Sequence, residues 1–150
     1  MEFVDLYFHI SCEGIDDCLG KKEIIFTDAY HEDDFGYLII IDTGLNRKLK
    51  LFIKCMEMFS LITAFDRFVE DLHSKPLIKE FDSGSLIVQY GCLGEPFRQG
   101  IEICLYQKLP LNDFTSPDTQ LSILLDKRDL KDISTSLKHS YGISSFSQKV

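Results

Sequence analysis

Apolar residues recur at every second position in several separate stretches of this chain, and that period constrains the fold more than any other feature. "KLKLFIKCM" (48–56) sends Leu49, Leu51, Ile53 and Cys55 one way and Lys48, Lys50 and Lys54 the other. "SLIVQYGCL" (85–93) alternates Leu86, Val88, Tyr90 and Cys92, and "GIEICLYQKL" (100–109) alternates Ile101, Ile103, Leu105 and Gln107. Side chains on a strand point to opposite faces in turn, so this pattern predicts half-buried strands. "EFVDLYFHISC" (2–12) shows the same period through Val4, Leu6, Phe8 and Ile10. "EIIFT" (23–27), "LIKEF" (77–81) and "TQLSILLD" (119–126) read as shorter strands. "GYLIIID" (36–42) is apolar without a break, which predicts burial on both faces with a helix on one side.

Two segments carry the helical period instead. "TAFDRFVEDLHSK" (63–75) places Phe65, Phe68, Val69 and Leu72 on one face. Thr63 with Asp66 resembles a capping box that would start this helix, and Pro76 would stop it. "KRDLKDISTSLKHSYG" (127–142) aligns Leu130, Ile133 and Leu137. Asp126 and Asp129 resemble an N-cap pair, and Gly142 suits the residue after the helix. Gly44 and Asn46 suit a turn at positive φ.

The expected order is a strand meander, a helix, a second meander and a final helix. That is an α+β fold: a largely antiparallel β-sheet meander with two amphipathic helices packed on it. The 150 residues form one expected domain, with a frayed tail after about residue 143. No βαβ alternation, GxGxxG or Walker loop is present, which disfavours a nucleotide-binding α/β fold.

The formal net charge is −8. An acidic surface repels phosphate backbones, so no nucleic-acid partner is expected, while a basic protein would be attracted. No apolar run approaches the length of a membrane span, and the start of the chain lacks the pattern of a signal peptide. Five cysteines, an odd count without a CxxC pair, suggest a reducing, cytoplasmic setting and no structural zinc.

The acidic stretches are the candidate functional residues. "DAYHEDDFG" holds Asp28, Glu32, Asp33 and Asp34 around His31, and "EGIDD" holds Glu13, Asp16 and Asp17. Their spacing does not match an EF-hand loop, and adjacent Asp33 and Asp34 point apart in an extended segment. No metal and no cofactor is expected. The alternatives for these loops are solvated connectors or a docking surface for a basic partner. No GxSxG elbow or HExxH motif occurs, and His9 and Cys12 would face opposite sides of their strand. No catalytic residue is assigned, and a non-enzymatic role is expected.

The order of elements resembles the WapI-type immunity protein family over about residues 36–140. The resemblance rests on Thr63, Asp66, Phe68 and Leu72 in the first helix. It continues in the long hairpin "SLIVQYGCLGEPFRQGIEICLYQKL", in Asp118 to Leu121, and in Leu130, Ile133 and Leu137. It implies a small cytosolic protein that neutralises a cognate bacterial toxin, often a nuclease. The seven acids Glu13, Asp16, Asp17, Asp28, Glu32, Asp33 and Asp34 would then face the basic partner. The alternative is a small-ligand-binding or regulatory module with an apolar pocket between sheet and helices.

Overall fold

A computed structural model describes residues 9–15, 21–31, 34–44, 48–70, 75–93, 98–108 and 120–148. The expectations for Val4, Leu6, Phe8, Asn46, Leu72 and Asp118 lie outside the described residues.

The first half runs β1 (His9–Glu13), β2 (Glu23–His31), β3 (Asp34–Asp42), β4 (Lys48–Lys54) and α1 (Cys55–Glu70). The second runs β5 (Leu77–Phe81), β6 (Gly84–Leu93), β7 (Arg98–Gln107), β8 (Gln120–Leu125) and α2 (Lys127–Gln148). Each half is an antiparallel four-stranded meander followed by one helix. The α+β class and the antiparallel pairing match the expectation from the sequence. The strands divide into two sheets, β1-β2-β3-β4 and β5-β6-β7-β8.

Most of the alternating residues do what their period requires, although Tyr90 and Gln107 are exposed. Leu49, Leu51 and Ile53 are buried, as are Leu86, Val88, Ile101, Ile103 and Leu105. They join Ile24, Phe26, Tyr37, Ile39 and Ile41 of the first sheet in one core with both helices. Phe65 of α1 meets Phe26 edge to face, with ring centroids 6.3 Å apart. In β3 Tyr37, Ile39 and Ile41 are fully buried, whereas Leu38 and Ile40 on the other face are half-buried. Burial on both faces is therefore uneven, complete only towards the core.

Direct bonds join the two sheets. The Ile15 N–H donates to the Leu124 carbonyl at 2.8 Å, and Lys22 Nζ donates to the Ser122 carbonyl at 3.0 Å. These bonds occupy acceptors on the outer edge of β8, which would otherwise be open to another strand. Gly14 makes the close approach possible, since a Cβ there would stand 2.5 Å from Cγ1 of Ile123. Elsewhere, Ser83 Oγ donates to the Phe52 carbonyl at 2.7 Å.

Both helix starts are explained by local chemistry. Helix α1 begins at Cys55, eight residues before Thr63. Glu57 Oε1 accepts the Lys54 N–H at 2.8 Å, so Glu57 closes the first turn. Thr63 lies within the helix, and its hydroxyl donates to the Phe59 carbonyl at 3.1 Å. Cys55 thus leaves the strand expected for it. At α2 the expected cap holds: Asp126 Oδ1 accepts the Arg128 N–H at 3.3 Å. Gly142 does not end α2, which continues to Gln148.

Candidate functional site

The inner face of the first sheet does not end where the core ends. On β2 the buried Ile24 and Phe26 are followed at the same parity by Asp28 and Tyr30. On β3 the buried Ile41, Ile39 and Tyr37 are followed by Phe35. The register places Asp28 opposite Tyr37 and Tyr30 opposite Phe35. The sheet therefore carries its core-facing row out to the tip of the β2–β3 hairpin, where the row meets solvent.

Five aromatic rings from four elements connect there. Tyr30 and Phe35 have centroids 5.3 Å apart, and Phe35 and Tyr37 5.6 Å. Tyr37 meets Tyr141 of α2 at 6.0 Å, and Tyr141 meets Phe59 of α1 at 6.1 Å. The middle of this series is fixed. Tyr37 is 1% exposed, the Tyr141 hydroxyl donates to the Cys55 carbonyl at 3.3 Å, and the Cys55 thiol lies 3.8 Å from the Phe35 carbonyl. The ends are open: Tyr30 is 74% exposed and Phe59 is 60% exposed. Met56, on the first turn of α1, is 84% exposed. Aromatics and Met are the residue types enriched in the centres of protein interfaces.

Asp28 sits within this surface and is electrostatically uncomfortable. Its Oδ1 is closed to solvent and accepts no hydrogen bond from the described residues. Burial pushes its pKa above the ordinary carboxylate value, and its own backbone and the nearby His9 offset part of that rise. Asp34 is exposed at the same hairpin, in register with His31. Asp16, Asp17, Glu32 and Asp33 lie outside the described residues.

Glu13 belongs to the other end of the sheet. It pairs with Glu23, and Asp28 lies five residues farther along β2, roughly 16 Å away at strand rise. The structure thus places Asp28 and Asp34 on one hairpin, on opposite faces of it by strand alternation, and sets Glu13 apart from them. Met56, Phe59 and Tyr141 were not among the candidates from the sequence. Their available signal was apolar residues at 56 and 59, interleaved with the buried Met58, Leu61 and Ile62. Apolar character around a whole helical turn leaves part of it facing outward.

The remaining features supply no comparable chemistry. His9 is exposed whereas Cys12 is half-buried on the core side. Burial and the acidic Asp129, Asp132, Glu13 and Glu23 push the Cys12 thiol up to about 11, the wrong direction for a nucleophile. Among the described residues, no three His, Cys, Asp or Glu side chains gather as a metal-binding group. No described helix is long and apolar enough to cross a membrane. Between sheets and helices the space is filled by Phe26, Tyr37, Phe65 and their neighbours. Clefts among the described residues include one of about 310 Å³ between α1 and β5 at Phe68 and Leu77 and one of about 270 Å³ beside Phe81 and Tyr106.

The chain matches no protein-family model and no curated protein sequence.

Proposed function

We propose that this chain is a non-enzymatic protein-binding protein that docks a basic partner on the surface formed by Tyr30, Phe35, Met56, Phe59 and Tyr141. The observation that carries this reading is the aromatic series itself. Its centre is locked into the core, while Tyr30 and Phe59 at its ends remain exposed. A pre-organised apolar surface loses little conformational entropy when it binds. Asp28 and Asp34 on the same hairpin, with a net charge of −8, favour a partner of opposite sign. The resemblance to WapI-type immunity proteins narrows the partner to a cognate toxin domain, with a nuclease the type most compatible with an acidic inhibitor.

The test is co-purification with the product of the neighbouring upstream gene. A stable complex, together with protection of cells from that product, supports the proposal. Absence of a complex, or a neighbour without a toxin-like domain, counts against it.

A further inference from the structure

We infer that Asp28 is the acceptor for one arginine of the partner, with the guanidinium seated against Tyr30 and Phe35. This rests on the proposed docking surface and adds its specificity-determining residue.

The argument starts from an incomplete carboxylate. A charge removed from water is normally offset by donors or an opposite charge. Asp28 Oδ1 is closed to solvent, and no described residue donates a hydrogen bond to it. His9 attracts Asp28 electrostatically, but it is exposed on β1 in register with Thr27, not with Asp28. No described residue supplies the missing donor, and Asp28 as a whole is only partly buried, so a cation arriving from outside would meet the carboxylate and recover part of the cost of burial.

The neighbours select the kind of cation. Tyr30 stands two residues along the same strand face, and Phe35 pairs with Tyr30 across the hairpin. Their rings are tilted by 70° to each other, so they present different faces and edges to a group entering beside Asp28. A guanidinium is planar, stacks on aromatic faces and is weakly hydrated, whereas an ammonium is compact and strongly hydrated. The combination of a carboxylate and adjoining rings therefore suits arginine better than lysine. Asp34 provides the comparison: it is exposed, so water already solvates it, and its charge attracts a partner without anchoring it.

Hexa-arginine and hexa-lysine peptides titrated into the whole chain, followed by NMR, test this. Hexa-arginine is expected to shift the Asp28 carboxyl and the Tyr30 and Phe35 ring signals, and to bind more tightly than hexa-lysine. Asp28→Asn is expected to weaken hexa-arginine at least threefold, and Asp34→Asn by clearly less. Equal losses in the two variants would mean bulk charge alone and overturn the inference, as would shifts confined to other acidic residues. A natural partner that depends on Phe59 but not on Asp28 would also overturn it, while leaving the docking surface intact.

Discussion

The Tyr141 hydroxyl of α2 donates to the main-chain carbonyl of Cys55, the first residue of α1, at 3.3 Å. This bond ties the later part of the second helix to the start of the first. It also holds the Tyr141 ring between Tyr37 and Phe59, so the exposed Phe59 has a fixed neighbour. Tyr141→Phe keeps the ring and removes the bond. It is expected to cost about 1 kcal/mol in urea denaturation. Tyr141→Ala removes both and is expected to cost more and to weaken partner binding as well.

Asp66 makes the other tie between the helices, and its partners differ in burial. Lys138 Nζ lies 3.0 Å from Asp66 Oδ1, with both side chains about half exposed. Ser134, 2% exposed, donates to the same oxygen at 3.4 Å. Water compensates a lost surface ion pair but not a buried hydroxyl. Lys138→Ala is expected to change stability by less than ~1 kcal/mol. Asp66→Ala leaves the Ser134 hydroxyl without this acceptor and is expected to cost about 1–3 kcal/mol by the same denaturation.

Asp28 sets a pH dependence of unusual sign. Its pKa in the folded chain lies above the ordinary carboxylate value of 3.8. Over the window from 3.8 up to the folded value, the native state holds the proton more tightly than the unfolded state. Stability from this group therefore falls as pH rises through that window and stays lower above it. Asp28→Asn is expected to melt at a higher temperature than the parent chain at pH 7. The difference should shrink towards zero as pH falls below 3.8, and a lower melting temperature at pH 7 would contradict the assignment.

Cys12 is expected to be chemically quiet. Its thiol is raised from 9.0 to about 11. At a pH below both values, the thiolate population falls about a hundredfold, and with it the rate of alkylation. Iodoacetamide at pH 8, followed by peptide mass spectrometry, should label Cys12 slowly in the folded chain and rapidly in denaturant.

The two ββββα halves were legible in the sequence because strand period is a local signal. Leu49, Leu51, Ile53, Ile101, Ile103 and Leu105 all face the core as their alternation requires. The start of α1 was not legible in the same way. Cys55 continues the alternation of β4, and Thr63 with Asp66 imitates a cap, whereas Glu57 bonding back to Lys54 sets the boundary. Gly142 likewise reads as a stop, but a glycine within a helix costs only about 1 kcal/mol, which surrounding helix contacts can offset. The division into two sheets, and the bonds such as Ile15 to Leu124 that join them, are long-range features that no local pattern encodes. The candidate surface was half legible. Asp28 and Asp34 stand out as charge, but Tyr30, Phe59 and Tyr141 come together only through the packing of α1 and α2 against the first sheet.

The central claim is that the open ends of the aromatic series bind the partner. Isothermal titration of the upstream-gene product into the parent chain, a Tyr30→Ala/Phe59→Ala variant and an Ile78→Ala control tests it most directly. Ile78 is as exposed as Phe59, at 60%, but lies on β5 away from the series. The double variant is expected to bind at least tenfold more weakly, a loss of about 1.4 kcal/mol or more, with unchanged circular dichroism. The control is expected to bind like the parent. Parent-like affinity in the double variant, or an equal loss in the Ile78→Ala control, would contradict the claim.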